Sequence, residues 1–250
     1  MKKTTKQTNT IKKALITTFT LMQLSIIGCG SENWNPTSHL VLVDYTTSCN
    51  ALDDFNIENV KKRILEIGKT LKKDDQLVVY PIHRNTQTAS PIVTIQAPTL
   101  MGDLADNQRK KEWEAEILNP SIDKVVNYVF SSEQLAGTNV FAAIRKTIRT
   151  MKNGMNVKLY FISDMVHEVH ELSFMKDFPK MDESDINTLA STKALEYCNQ
   201  LTLKDVPVIV YLPGRPEGDP EKNNLYQKVN FFWEKFFANA GTSVRIMEVS

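Results

Sequence analysis

Cysteine is scarce in this chain, three in 250 residues. No Cys-x-x-Cys pair occurs, which excludes the thioredoxin-type redox motif. There is no Gly-rich phosphate loop and no Gly-x-Ser-x-Gly elbow, so neither a nucleotide cradle nor an exposed serine nucleophile is legible. No low-complexity tract and no internal repeat is found, which argues against solenoids and low-sequence-diversity tails. What remains is ordinary globular composition, 42% hydrophobic and 24% charged, long enough for one domain with a large core.

Residues 1–28 contain no acidic side chain, and Lys2, Lys3, Lys6, Lys12 and Lys13 precede an apolar stretch at 14–27. This is the pattern of a secretory signal peptide, too short for a comfortable transmembrane helix. Its end, Leu24-Ser25-Ile26-Ile27-Gly28-Cys29, resembles the lipobox of bacterial lipoproteins, in which a cysteine after a small residue is lipidated and becomes the new amino terminus. The resemblance implies acyl chains on Cys29, and more than one chain is what stable anchoring needs. Residues 29–38 then read as the lipidated cysteine and a short polar tether, and 39–250 as the folded domain. Loss of the five lysines takes the formal net charge from +1 to −4, which removes the electrostatic basis for binding nucleic acid.

Along the domain, apolar strand-like runs at 39–43, 77–82, 91–96, 157–163, 206–212 and 243–249 alternate with helical patterns at 56–71, 107–130, 139–152, 186–201 and 224–240. Asn119-Pro120 is expected to interrupt the second helical region, because proline lacks the donor a continuing helix needs. The polar stretch 84–88 reads as a hairpin connection, which makes the third strand antiparallel. The expected fold is a doubly wound α/β sheet, mostly parallel and six-stranded, with one antiparallel edge strand and helices on both faces. In this topology Cys49 lies at the top of the sheet and Cys198 toward the bottom of a helix, which favours two thiols over a bridge in a compartment that permits disulfides.

The first strand ends in Asp44-Tyr45-Thr46-Thr47-Ser48, three oxygen-bearing side chains on alternate positions. Tracing strand directions brings Thr138, in the loop before the third helix, and Asp164, ending the fourth strand, to the same top edge. Open α/β sheets place their ligands there. A hard cation such as Mg2+ (or Mn2+) takes an octahedron of oxygens and keeps waters that a partner's carboxylate displaces. These features suggest a metal-assisted binding site in preference to catalysis.

Asp44-x-Thr46-x-Ser48, Gly137-Thr138 and Ser163-Asp164, in this order and at these element ends, resemble the metal-ion-dependent adhesion site of a von Willebrand factor A (VWA) domain, over nearly all of 39–250. The resemblance implies that Thr46, Ser48 and Thr138 contact the metal through hydroxyls, that Asp44 and Asp164 act mainly through waters, and that an acidic residue of a protein partner completes the shell. Two departures stand out: Thr46 replaces the usual first serine, and Met165 stands where the family commonly has glycine.

Other readings compete. Thr46 or Ser48 as a helix cap is the bland alternative for the first motif. A haloacid-dehalogenase-like phosphatase needs a second acid two residues after Asp44, where Thr46 stands. His167-Glu168-Val169-His170 invites a zinc site, but its spacing is one residue short of His-Glu-x-x-His. The polar-loop reading is preferred, with His167, Glu168 and His170 placed to shape a partner surface; Arg215, in the loop 213–220, is a further candidate for meeting an acidic partner, with a solvated connection the preferred reading there. Leu225, Val229, Phe232, Trp233, Phe236 and Phe237 read as one core-facing helix face, with Phe231 off it as an exposed contact.

The expectation is a membrane-anchored lipoprotein facing the periplasm or cell exterior, binding a protein through a divalent cation and carrying no enzymatic machinery. The alternatives are a metal-dependent hydrolase on a similar sheet, with Asp44 or Asp164 activating water, and a metal-free envelope assembly domain.

Overall fold

Alternate side chains of the first strand serve two different cores. The computed structural model describes residues 35–44, 57–98, 104–131, 137–151, 156–198, 203–212 and 220–248. Strand β1, Thr37–Asp44, is buried from Ser38 onward. Leu40 and Leu42 join one core cluster, while Val41 and Val43 join another on the opposite face. A strand covered on both sides reads as a continuous apolar run, as this one does.

The chain continues through helix α1 (Ile57–Lys69), β2 (Gln76–Ile82), a 3-10 turn (Thr86–Thr88) and β3 (Val93–Gln96). Then come α2 (Leu104–Trp113), a π-helical segment (Glu114–Leu118), α3 (Asn119–Ser131), α4 (Val140–Thr150) and β4 (Asn156–Ile162). A two-residue hairpin, β5 (Glu168–Val169) and β6 (Leu172–Ser173), leads into the short α5 (Phe174–Asp177) and a 3-10 turn (Phe178–Lys180). Helix α6 (Glu183–Cys198), β7 (Val208–Leu212), α7 (Pro220–Asn239) and β8 (Val244–Glu248) follow.

The main sheet has six strands in the order β3-β2-β1-β4-β7-β8. Only β2–β3 is antiparallel; the β1–β2, β1–β4, β4–β7 and β7–β8 pairs are parallel. This is the expected doubly wound, mostly parallel α/β architecture with one antiparallel edge strand. Phe141 and Ile144 of α4, Ile186 and Ala190 of α6, and the aromatic side of α7 fill one face. Val60, Ile64 and Ile67 of α1, with Ile122, Val125 and Val129 of α3, fill the other.

The expected break at Asn119-Pro120 does not occur. The backbone N–H of Asn119 donates to the carbonyl of Glu114, five residues back. The π segment thus shifts the hydrogen-bond ladder immediately before Pro120, and the helical path continues through it. Phe231 also departs from expectation: it is half-buried against the core, with the Lys235 ammonium 5.1 Å from its ring centroid. Cys198 is buried at the carboxyl end of α6, and burial pushes its thiol up to about 12; Cys49 lies outside the described residues. Among the described residues no helix is long and apolar enough to cross a membrane.

Candidate metal and partner site at the carboxyl edge of the sheet

The winding reverses between β1 and β4. From β1 the chain moves outward to β2 and β3, then returns to place β4 on the other side of β1 and moves outward to β7 and β8. Helices and loops diverge at such a switch point and leave a crevice beyond the carboxyl ends of the two strands. Asp44 ends β1 and Asp164 follows β4, so both candidate carboxylates sit at that reversal. They are 0% and 2% exposed, which sets them within the edge instead of on a solvated surface.

The two strand ends are joined through Ser163. The β1–β4 register pairs Val43 with Ile162, which sets Ser163 beside Asp44. The Ser163 hydroxyl donates to Asp44 Oδ2 at 2.8 Å and accepts from the backbone N–H of Met165 at 2.9 Å. The Val166 N–H donates to Asp164 Oδ1, also at 2.9 Å. Two of these bonds orient a carboxylate through a neutral donor.

Met165 takes a left-handed backbone conformation, φ 59°, in which a glycine is at ease and a methionine is not. The loop keeps the bend, and the side chain that costs it is buried in the core at 1% exposure. The Trp233 indole N–H donates to the Met165 carbonyl at 2.8 Å, which holds the bend from below.

Thr138 is fully buried in the loop before α4. Its carbonyl accepts from the Glu168 N–H at 2.8 Å. Gly137 has φ 90°, and a Cβ there would meet the Glu168 carbonyl at 2.7 Å. The Gly137-Thr138 loop is thus clamped onto the segment that follows Asp164. Asn139 then caps α4, its side chain accepting from the Ala142 N–H at 2.9 Å.

Of the five candidate metal residues the structure describes three, Asp44, Thr138 and Asp164, all buried at one edge of the sheet. Thr46 and Ser48 lie outside the described residues, as do Cys29 and Arg215. Among the described residues no three His, Cys, Asp or Glu side chains converge. The donor set in question, two carboxylates and hydroxyls, is oxygen only and suits a hard cation, not zinc.

The structure does not bring the two imidazoles of 167–170 together as a zinc site would need. His167 is 2% exposed, packed edge-on to Phe141 at 4.5 Å between ring centroids and 5.6 Å from Phe174. Burial lowers its pKa to about 3, with Lys193 adding to the effect. Val169 intervenes, and His170 stands exposed on the hairpin turn, so the two imidazoles share no face. His167 is therefore a core side chain and does not reach a partner surface.

Glu168 is also committed to structure. Its carboxylate accepts from the Ser173 hydroxyl at 2.8 and 3.0 Å and from the Met175 N–H at 2.9 Å, which caps α5. The Asp177 carboxylate accepts from the Ser173 N–H at 2.9 Å. Beside this hairpin lies a cleft of about 550 Å³ bordered by Arg84, Gly137, Glu168, His170, Lys176 and Asp177. Arg84, Lys176 and Gly137 are contributions that spacing alone does not reveal, because they meet only through the tertiary arrangement of two loops and the short α5.

A second polar cluster lies at the opposite edge. His39, at the start of β1, is 2% exposed. Its Nδ1 is 3.2 Å from the Tyr160 hydroxyl and its Nε2 is 3.7 Å from Asp75. Burial outweighs Asp75 and brings the imidazole down to about 4, and burial pushes the Tyr160 phenol up to about 12. Asp75 accepts from the backbone N–H groups of Thr37 and Lys72 at 2.7 and 2.8 Å, so this cluster ties β1, β2 and β4 together at their amino-terminal ends.

No protein-family model and no curated protein matches this chain. Among solved structures it is similar to a von Willebrand factor type A protein from Catenulispora acidiphila, with 9% identity, TM-score 0.42, and coverage of 86% of this chain and 39% of that one. It is also similar to the manganese-loaded TRAP protein of Plasmodium vivax, with 14% identity, TM-score 0.41, and coverage of 76% and 61%. For the pilus adhesin SpaC of Lactobacillus rhamnosus GG the values are 12% identity, TM-score 0.37, and coverage of 80% and 27%. The chain thus spans less than two thirds of the length of each of these structures, and likeness at this level assigns no function.

Proposed function

We propose that this chain is a lipid-anchored, extracytoplasmic protein whose VWA-like domain binds a protein partner through Mg2+ or Mn2+ at the carboxyl edge of its sheet. The observation that carries the reading is the placement of Asp44 and Asp164, buried at the ends of the two strands where the winding reverses, with Asp44 held by the hydroxyl of Ser163. Thr138, with Thr46 and Ser48 from the motif after β1, would hold the cation through hydroxyl oxygens, and the two carboxylates would act through water. A bound cation supplies an open coordination position for a carboxylate of the partner. Ser163 fixes the rotamer of Asp44, and the Gly137–Glu168 clamp holds Thr138 in place. The anchor rests on the lysine-rich leader and the lipobox-like Cys29, and the role is one of binding, without a chemical step.

Thermal unfolding of the full chain in chelator, Mg2+ and Mn2+, beside Asp44→Asn, tests the cation. A cation at a hundred times its dissociation constant adds about 2.7 kcal/mol, a rise of roughly 5–11 °C in Tm for a domain of this size. The expected result is a rise in the wild type that Asp44→Asn loses while keeping its secondary structure. Equal curves for the wild type in chelator and in saturating cation would overturn the reading. For the anchor, metabolic labelling with a radioactive fatty acid should mark the wild type and not Cys29→Ser.

A further inference from the structure

The cleft beside the candidate cation site brings together three basic side chains from three different places: Arg84 after β2, His170 on the β5–β6 turn and Lys176 on α5. All three are exposed, and the side chain of none of them makes a hydrogen bond or ion pair among the described residues. Elsewhere on the surface several cations are paired, as in Lys61–Asp123, Arg63–Glu66 and Lys193–Glu196. The two acids of the cleft, Glu168 and Asp177, direct carboxylate oxygens onto Ser173 and the first turn of α5. Such bonds to backbone donors at a helix start stabilise those acids where they are.

We propose that this cleft takes an acidic stretch of the partner polypeptide, with Arg84, His170 and Lys176 meeting its carboxylates. The inference rests on the cation reading above and names the partner's chemistry: one acid is offered to the metal and others lie along the same strand of the partner. Continuity supports it, since Gly137 borders the cleft and the next residue, Thr138, is a candidate ligand. Size supports it as well, since about 550 Å³ accommodates a peptide segment instead of a single ion. Met175, 50% exposed beside Lys176, adds an apolar contact at the rim. Charge complementarity of this kind sets partner choice and association rate.

The test is fluorescence anisotropy of a labelled hexaglutamate peptide with the full chain, in chelator and in Mg2+, comparing wild type, Arg84→Ala/Lys176→Ala and Asp164→Asn. The expected result is a chelator-resistant component that the double variant weakens by about fivefold or more, the scale of two lost charge contacts. A Mg2+-dependent increment lost only in Asp164→Asn reports separately on the cation. Equal chelator-resistant binding by wild type and double variant, or none by either, would overturn the cleft proposal whatever the cation does. So would equal competition by inorganic phosphate at matched charge, or binding to phosphatidylserine vesicles in preference to the peptide. Both substituted side chains are exposed, and circular dichroism confirms that the variants fold.

Discussion

At the scale of single residues, the carboxyl edge is organised by a hydroxyl and by a methionine in an awkward conformation. Ser163 bridges Asp44 and the Met165 N–H, so Ser163→Ala leaves a buried acceptor and a buried donor without this partner. The expected loss is about 1–3 kcal/mol in urea unfolding, together with weaker cation binding. Met165→Gly poses opposing effects. Glycine relieves about 1 kcal/mol of left-handed backbone cost, but removing a buried methionine costs about 2–5 kcal/mol. The variant is expected to be less stable by about 1–3 kcal/mol, read as a lower urea midpoint at unchanged slope. The sequence displays Met165 as an anomaly in a motif; only its burial explains why the anomaly is tolerated.

His167 gives a third residue-scale expectation. Its folded pKa, about 3, lies below the 6.5 of the unfolded chain because burial disfavours the imidazolium. As pH falls below 6.5 the unfolded state therefore binds a proton that the folded state refuses, and stability is lost toward the folded pKa. His39, at about 4, acts in the same direction. Above about pH 7 both contributions are complete and stability no longer depends on them. Each histidine contributes a slope of about 1.4 kcal/mol per pH unit within its window. In urea unfolding between pH 7.5 and 4.5, His167→Leu should show a shallower decline than wild type by about that amount per unit.

At the scale of elements, two loops behave as one unit because glycine lets them touch. Gly137→Ala would place a Cβ 2.7 Å from the Glu168 carbonyl at a positive φ, so both sterics and backbone oppose it. A destabilisation of about 1–3 kcal/mol is expected, with faster exchange of the Glu168 amide, since that N–H donates to Thr138. This contact was invisible in the sequence: a glycine before a threonine specifies neither its φ nor what lies opposite. The same limit explains the missed continuity through Pro120. Proline's missing donor is a local property, but the π segment that absorbs it depends on a shifted bond from Asn119 to Glu114. Strands and amphipathic helices were legible, because periodicity records which faces are buried. The hairpin at 168–173 was not, since two-residue strands carry no period.

At the scale of the whole molecule, the burial of both sheet faces explains why the architecture was readable. Val41 and Val43 enter one core and Leu40 and Leu42 the other, and an uninterrupted apolar strand followed by an amphipathic helix leaves few alternatives to a doubly wound sheet. Strand direction then carried Asp44 and Asp164 to one edge. What direction could not supply was lateral placement: which cations border the cleft, and that His167 turns inward while His170 turns out.

The order of strands also fixes how a pull would pass through the protein. Any tension on the amino-terminal segment enters the domain at Thr37, the first residue of a central strand paired on both sides, with its N–H held by Asp75. Asp44 closes that same strand. A load applied between the amino-terminal segment and the carboxyl end of this strand therefore runs along seven peptide links of one covalent backbone. It reaches Asp164 through the β1–β4 ladder, whose bonds are strained together in shear and not peeled apart one at a time.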